Sequence, residues 1–570
     1  MKNRASSHLL AILVIVGFEI AGYVAVTRAA LLRGYQPPVA SAVRDILLYV
    51  PVIAILFWLA RAKQFAGNWT LYTAAILLFS VGLLVQYRLY SDPEYNSRNK
   101  AEARAAKTQV LRLRFINQNY DAAKKQLMGL PTDPQQAEAM LEQQAEAHES
   151  TVNARSVLTS GRTWIPLLAF AAFVFAYSCC VRDDFLNWVQ RHSFIIVLLT
   201  LVPLSAAVVT SSAGKALGNM TPWEPSKIPF LLGFAGILTA YYRDLAKTYW
   251  GLPRAQAVIP LLAMAVIPFI PFFALKDFGQ MLVFSGAYAV LYLVAVRRWP
   301  QLLLFVGSVA LVISILVVGA LPLDVQEKVP FLPTLARPVA TALPARIQQR
   351  FHLWLDGFDP PPPNVWWWKK DYEEELAHDP KLKELAAESE AMQHAVNVDV
   401  WFDRIAFQPA QATFGIASGK TTGRGLGLGF SEVIPVADSD YIYAAIAEEL
   451  GLTGGAIVIL TMIVLVSAGV RTSLDARDMF TKLCAAGLTA FIGFQALVNM
   501  GGITRALPMT GITLPFVSHG GFSLITSFAM LGMLMAFSHR NARDTAAVPA
   551  RATLTPTRTE SEYTTPSAVE

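Results

Sequence analysis

Charge is scarce in this chain. Only 15% of its 570 residues are Asp, Glu, Lys or Arg, against about 25% in soluble domains. With 54% hydrophobic residues and a mean hydropathy of +0.42, an ordinary soluble enzyme is excluded. Cysteine is scarcer still: the three are Cys179, Cys180 and Cys484. All lie in or beside apolar runs, so no disulfide framework is implied. No His/Cys/Asp grouping has metal-ligand spacing, which argues against a tight structural metal site. No nucleic-acid-binding pattern is present. The first apolar run is too long for a removable signal peptide and lacks a small-residue cleavage site.

What is abundant is the run of about 20 apolar residues, the length a bilayer-spanning helix needs. About twelve occur, at roughly 9–28, 45–61, 70–89, 163–181, 193–210, 227–242, 257–275, 279–296, 300–321, 441–470, 479–500 and 512–538. The expected fold is an all-α polytopic membrane protein with about 12 transmembrane helices. The tenth run is long, with an interruption expected near Gly451, Gly454 and Gly455. Orientation follows from Lys and Arg in the short loops. Arg61, Lys63, Arg182, Arg191, Arg243, Lys247, Arg297, Arg298, Arg471 and Arg477 collect on one side. That bias sets both termini in the cytoplasm and explains the net charge of +6. It turns two long loops, 90–162 and 322–440, outward.

The outward loops are polar. Residues 97–157 read as a helical hairpin broken at Gly129-Leu130-Pro131. A solvated insertion and a partner-binding arm both fit. Residues 372–397 read as a charged helix broken by Pro380. Before it stand Pro360 to Pro363, stiff and extended, and then Trp366, Trp367 and Trp368. These tryptophans read as an interfacial anchor in preference to a sugar-stacking platform. The tail beyond Ala546 is rich in Thr, Pro and Ser, the composition of a disordered segment.

Candidate chemistry concentrates between Gln408 and Arg540. The segments are SGKTTGRGLGLG (Ser418 to Gly429), DSDYIYAAIAEELGLTGG (Asp438 to Gly455) and QALVNMGGITRALPMTGITLPFVSHGGFSLITS (Gln495 to Ser527). Polar residues and Pro/Gly breaks inside apolar runs are costly in a bilayer and point to a site. Asp440 stands where an outer loop meets a helix. It reads as an N-cap or as a carboxylate base at the mouth of a membrane cavity. Glu448 and Glu449 lie about 12–14 Å farther along at 1.5 Å per residue. They need a polar cavity or a cationic partner. GRGLGLG lacks the strand-to-helix context of a phosphate loop. His519 reads as a ligand or as a simply hydrogen-bonded histidine. Gln495, Asn499, Thr510 and Ser518 stand near the helix breakers Pro508, Pro515, Gly520 and Gly521. They point to one cavity built from the last three helices and loop 401–440.

These linked segments resemble the SEDS family (shape, elongation, division and sporulation proteins), which includes FtsW and RodA. SGKTTGRGLGLG is similar to the family's glycine-rich loop, and Pro435 with DSDYIYAAIAEELG to its loop-to-helix motif. Gln495 and Asn499, then Leu507 to Ser523, are similar to its closing segments. Upstream, GLLVQYRL (Gly82 to Leu89), EPSK (Glu224 to Lys227), KDFGQ (Lys276 to Gln280) and RIQQRFHLWLD (Arg346 to Asp356) resemble further family segments. The resemblance implies a SEDS-like core over 69–540, containing the insertion 90–162 and the large loop 322–440. Residues 1–68 would be additional N-terminal helices and 541–570 a cytoplasmic tail.

It further implies a peptidoglycan glycosyltransferase of the cytoplasmic (inner) membrane, polymerising lipid II into β-1,4 glycan at the outer face. A class B penicillin-binding protein and other elongation or division proteins would be its partners. Asp440 matches the aspartate used as the family's base. Lys420, Arg424, Gln495, Asn499, Arg505, Ser518 and His519 become candidate substrate-binding residues. Glu448, Glu449 and Asp277 become intramembrane polar candidates. A divalent cation, Mg2+ or Mn2+, is the candidate cofactor. A lipid II flippase and a non-catalytic scaffold of the division or elongation complex are the alternative classes. The chain also departs from the pattern. Asp438 replaces a histidine, Tyr441 and Tyr443 replace phenylalanines, His519 replaces a tyrosine and Lys420 a glycine. Lys227 stands where a glutamate is expected, which puts any glutamate-dependent role there in doubt.

Overall fold

The computed structural model describes residues 2–35, 37–92, 95, 161–212, 223–245, 248–249, 252–253, 271–272, 277–296 and 345–546. The apolar runs fold as helices α1 (Lys2–Leu32), α2 (Val39–Ala62), α3 (Trp69–Tyr90) and α4 (Gly161–Cys180). Next come α5 (Asp183–Arg191), α6 (Ser193–Leu199), α7 (Leu201–Ser212) and α8 (Trp223–Leu245). A two-residue antiparallel pair, β1 (Thr248–Tyr249) with β2 (Leu252–Pro253), is the one sheet among the described residues. Then follow α9 (Phe278–Val296), α10 (Ala345–Leu355), α11 (Trp366–His378), α12 (Pro380–Glu388), α13 (Glu390–Trp401) and α14 (Phe407–Gly419). The chain closes with α15 (Ile442–Leu474), α16 (Met479–Ile503) and α17 (Phe522–Ala546).

Among the described residues, 8 helices are long and apolar enough to cross a bilayer. Asp183–Arg191 with Ser193–Ala206, bent by 80°, makes up to 9 if taken as one span. The protein is an integral membrane protein of all-α architecture. The expected run at 193–210 is divided between α6 and α7, and the run at 227–242 lies within α8. The run at 300–321, most of the run at 257–275, the hairpin 97–157, loop residues 322–344 and the tail beyond 546 lie outside the described residues.

Helices α3, α16 and α17 form the centre. Their most apolar stretches are 83%, 78% and 83% buried, against 33% and 28% for α1 and α2. The outer pair is nevertheless tied to α3 by polar bonds. The Tyr23 hydroxyl reaches both Glu19 Oε1 and Asp45 Oδ2, and Thr27 pairs with Tyr87 on α3. Intramembrane carboxylates face the protein interior here, as the cost of exposing them to lipid requires.

The interruption expected in the tenth run is present. Gly451 takes φ 68°, ψ −168° inside α15, a conformation open to glycine because it has no Cβ. The kink releases backbone groups, and loop 420–425 takes them up. Arg424 N donates to Glu448 O and Gly425 N to Glu449 O, while Leu452 N donates to Lys420 O and Thr453 N to Thr421 O. Irregular backbone is tolerated at this depth because protein satisfies it. Before the kink, Ile442 to Glu449 are all buried. After it, Leu452, Ile457, Leu460 and Ile463 are exposed. From Leu452 to Leu474 the helix is about 34 Å long at 1.5 Å per residue, enough to cross a core of about 30 Å unaided. The stretch after the kink is thus long enough to cross by itself, and Asp440 lies on the other side of the kink.

Helices α10 to α13 build a cap with a core of its own. Trp367, Trp368, Tyr372, Val396, Val400 and Trp401 pack together. Trp368 Nε1 donates to Asn397 Oδ1, and Asn397 Nδ2 to Pro361 O, both at 2.8 Å. This corrects the interfacial-anchor reading: Trp367 and Trp368 are buried in the cap, and Trp366 is the exposed one of the three. An indole inside a small polar-rimmed core needs a partner for its N–H, and Asn397 supplies it to Trp368. Pro380 opens α12 at its first turn, with Asp379 Oδ1 accepting from Lys381 N. Proline breaks the preceding helix and starts the next, because that first turn needs no donor.

Candidate functional site

Asp440 lies in the short loop before α15. The first residue outside that helix is Tyr441, and no side chain caps it. The N-cap reading of Asp440 therefore has no bond to support it. Its carboxylate accepts from Ser439 Oγ at 2.9 Å. Burial pushes it up to about 6; the Ser439 bond and Arg350 oppose that rise, and Asp438 and Asp277 add to it. A pocket of about 10 Å³ adjoins it, lined by Asp440, Tyr441, Asn499, Thr510, Gly511 and Ile512 among others. That is close to the least volume that holds one water.

Two of those neighbours carry unpaired polar atoms. Asn499 Nδ2 donates to Asp440 O at 2.9 Å and to Ile512 O, while its Oδ1 is buried without a partner. Thr510 Oγ1 is likewise buried without a partner. Such atoms are uncommon in folded proteins and mark places where a water or ligand group is accommodated.

A line of charge runs from the site into the protein. Asp277 precedes α9 and accepts from Gln280 N at 3.2 Å. Burial raises its carboxyl, and Arg350 and Lys227 counter that rise. Lys227, fully buried on α8, donates to Glu224 Oε1 at 2.8 Å and to Gln495 Oε1 at 2.7 Å. The carboxylate missing at position 227 is thus present one helical turn earlier, as Glu224. Among the described residues no group of three or more His, Cys, Asp or Glu is placed to hold a metal ion. Asp440 and Asp277 share the cation Arg350. That donor set does not fit a protein-held Mg2+ or Mn2+, which prefers several oxygen ligands.

The other candidates separate into groups. Gln495 Nε2 donates to Thr513 O and Ser523 Oγ, and Ser518 Oγ donates to Ser439 O at 2.6 Å. Both hold loop 504–521 against its neighbours. His519 N donates to Asp438 O, and burial, with Arg162 nearby, lowers its imidazole to about 4. Arg505 is bound to the cap: Nη2 donates to Leu353 O at 3.3 Å, and its guanidinium lies 4.9 Å from the Phe358 ring centroid.

Glu448 and Glu449 organise the glycine-rich loop. Glu448 accepts from Phe430 N and Ser431 Oγ, and Glu449 from Gly427 N and from Arg88 Nε. Lys420 and Arg424 are exposed beside the kink. They stand 8 to 12 helix positions from Asp440, about 12–18 Å along α15.

Three residues went unnoticed as site candidates. Arg88, in GLLVQYRL, is the cation for Glu449 and also bonds Glu432 Oε2 and Gly429 O. Arg350, in RIQQRFHLWLD, reaches Thr510 O at 3.1 Å. Its signal was a second arginine one turn after Arg346 on a cap helix. Tyr95 offered no signal; its hydroxyl donates to Asp438 Oδ1 at 2.7 Å, and Tyr90 bonds Oδ2. Two tyrosines thus accommodate an aspartate where the family pattern has histidine.

Comparison with known proteins agrees with the motifs. The family model described as "Cell cycle protein" (FtsW, RodA, SpoVE) matches residues 397–543. Peptidoglycan glycosyltransferase RodA of Mycobacterium tuberculosis is 28% identical over 356 residues, 60% of this chain and 62% of the relative. The chain thus aligns with somewhat under two thirds of that relative's length. Probable peptidoglycan glycosyltransferase FtsW of Geobacter metallireducens is 40% identical over 136 residues, 24% of this chain and 36% of the relative. A solved chain of a peptidoglycan synthase complex is similar with a TM-score of 0.43 and 18% identity, covering 66% of this chain and 89% of that one.

Proposed function

We propose that this chain, whose residues 397–543 match the FtsW/RodA/SpoVE family model, polymerises lipid II into β-1,4 glycan at the outer face of the cytoplasmic membrane. The observation that carries this reading is the Asp440 carboxylate. It sits at the motif position, at the mouth of α15, with one side-chain hydrogen bond and a small pocket beside it. Burial sets it up to about 6, a proton acceptor near neutral pH.

In this reading Asp440 takes the proton of the acceptor's 4-hydroxyl. The oxygen attacks the donor's anomeric carbon, the bond to pyrophosphate breaks, and the α-linked donor becomes a β-linked product. Pyrophosphate leaves readily once its charge is neutralised. Lys420 and Arg424 stand at the kink, where the exposed apolar face of α15 begins. A disaccharide separates the acceptor's hydroxyl from its own pyrophosphate. These two cations therefore suit the acceptor's pyrophosphate at headgroup level better than the donor's. Asn499 and Thr510, with free acceptor atoms beside Asp440, suit the sugar. A divalent cation, Mg2+ or Mn2+, would enter as a counterion of the diphosphate, not through a protein site.

The topology follows the same reading, with both termini in the cytoplasm and the cap outside. A class B penicillin-binding protein would be the partner, with residues 97–157 as its docking arm. The test is direct. Purified protein in detergent should convert lipid II into glycan strands, and Asp440→Ala should not. A folded wild-type protein that moves lipid II across vesicles without polymerising it would support a flippase instead.

A further inference from the structure

The cap is fastened to loop 504–511 by reciprocal bonds. Arg350 Nη1 donates to Thr510 O at 3.1 Å, Trp354 Nε1 to Arg505 O at 3.1 Å, and Arg505 Nη2 to Leu353 O at 3.3 Å. Beside these bonds stands Gly511, at φ 72°. A Cβ added there would lie 3.6 Å from Asp440 Oδ2 and 3.7 Å from Arg350 Nη2. The carboxylate and the guanidinium therefore converge on the space that a side chain at 511 would fill. Glycine meets the backbone angle.

We propose that Arg350 is a positioning residue for Asp440: carried by α10 to the far side of Gly511, its charge favours the proton-accepting form of the carboxylate across that space, and the seating of the cap controls that approach. Among the described residues, the other charged groups that act on Asp440 are carboxylates. Asp438 precedes it in the loop, Asp277 stands before α9, and Tyr441 follows it, while Arg346, one turn before Arg350 on α10, repels Arg350. Arg350 is thus the cation that opposes burial and two neighbouring carboxylates. A cap lifted from loop 504–511 would carry Arg350 away, and Asp440 would take up a proton. The base is then competent when the cap is seated.

The inference rests on Asp440 being the base of the proposed glycosyltransferase, and its test separates the two. Infrared difference titration of the full-length protein reads Asp440 protonation without turnover, with Asp440→Asn assigning the band. Arg350→Gln is expected to move the midpoint upward by about one pH unit or more, the usual effect of removing a neighbouring opposite charge. Arg350→Lys should stay near wild type, and Arg350→Met supplies a second neutral variant that keeps the apolar stem. The acid limb of lipid II polymerisation should move by the same amount. An unmoved Asp440 midpoint in a folded neutral variant overturns the role of Arg350, whatever the activity. Wild-type protein that fails to polymerise lipid II would overturn the functional reading alone, because the titration still decides the role of Arg350.

Discussion

Arg88 on α3 and Glu449 on α15 form a buried ion pair, Nε to Oε1 at 2.8 Å, across 361 residues of sequence. The same arginine bonds Glu432 Oε2 and Gly429 O, both at 2.8 Å. One side chain thus joins the central helix, the glycine-rich loop and the first half of α15. That half leads directly to Asp440.

Removing Arg88 leaves Glu449 buried without its cation, which costs about 3–5 kcal/mol, whereas without Glu449 the arginine keeps Glu432. Arg88→Leu should lower the thermal midpoint in detergent sharply. Glu449→Gln should be milder, since an amide still accepts from Arg88. A midpoint for Arg88→Leu within error of wild type would mean that the loop is held by its backbone bonds alone.

Asp440→Asn separates catalysis from stability. Loss of a general base costs about 10²–10⁴-fold in rate, whereas loss of an N-cap costs about 1 kcal/mol of stability. The capping bond is absent, so rate should fall and the thermal midpoint should not. Single-turnover polymerisation and a melting curve on one preparation decide between them.

Much of this was legible in the sequence, for physical reasons that differ by segment. Long apolar runs must be helices in a bilayer, so α1 to α4 and α15 to α17 followed from length and composition. The interruption at Gly451 was legible because glycine punctuates an otherwise apolar run. The fate of Trp367 and Trp368 was not: indoles beside a proline run suit a membrane interface as well as a small core, and Asn397, 29 residues from Trp368, decides it. The Lys227 and Glu224 pairing was open to reading at helical spacing, but its burial depended on Gln495, 268 residues from Lys227. Arg350 was hidden for the same reason. Its meaning arises where a cap helix meets a loop more than 150 residues later.

Asp440 should also leave a pH signature with opposite signs in activity and stability. Its folded value is raised to about 6 from an ordinary 3.8. A raised carboxyl binds its proton more tightly in the folded state, so the associated stability is fully present below about pH 4 and lost as pH rises through about 6. Polymerisation should rise over that upper limb as the base ionises. Melting curves from pH 4 to 8 should show wild type losing stability relative to Asp440→Asn across the same window. A constant difference between the two proteins would show that Asp440 is not perturbed by folding.

The Lys227–Glu224 pair makes the last test, because Lys227 stands where the resemblance leads one to expect a glutamate. Lys227→Met strands Glu224, whose Oε2 already lacks a partner, and should cost about 3–5 kcal/mol. Lys227→Met with Glu224→Gln removes both charges and should recover most of that loss, since neutral replacements of buried pairs are often tolerated. The reversed pair, Glu224→Lys with Lys227→Glu, keeps the ion pair but turns a carboxylate toward Gln495 Oε1, which now accepts from Lys227 Nζ at 2.7 Å. Gln495 could meet it only by rotating its amide, which would break its bonds to Thr513 O and Ser523 Oγ and loosen loop 504–521. The reversed pair should therefore be less stable than the neutral double variant. Thermal midpoints in the order neutral double, reversed pair, Lys227→Met would establish that Gln495 sets the polarity of this site; a reversed pair as stable as wild type would show that the charge order is free.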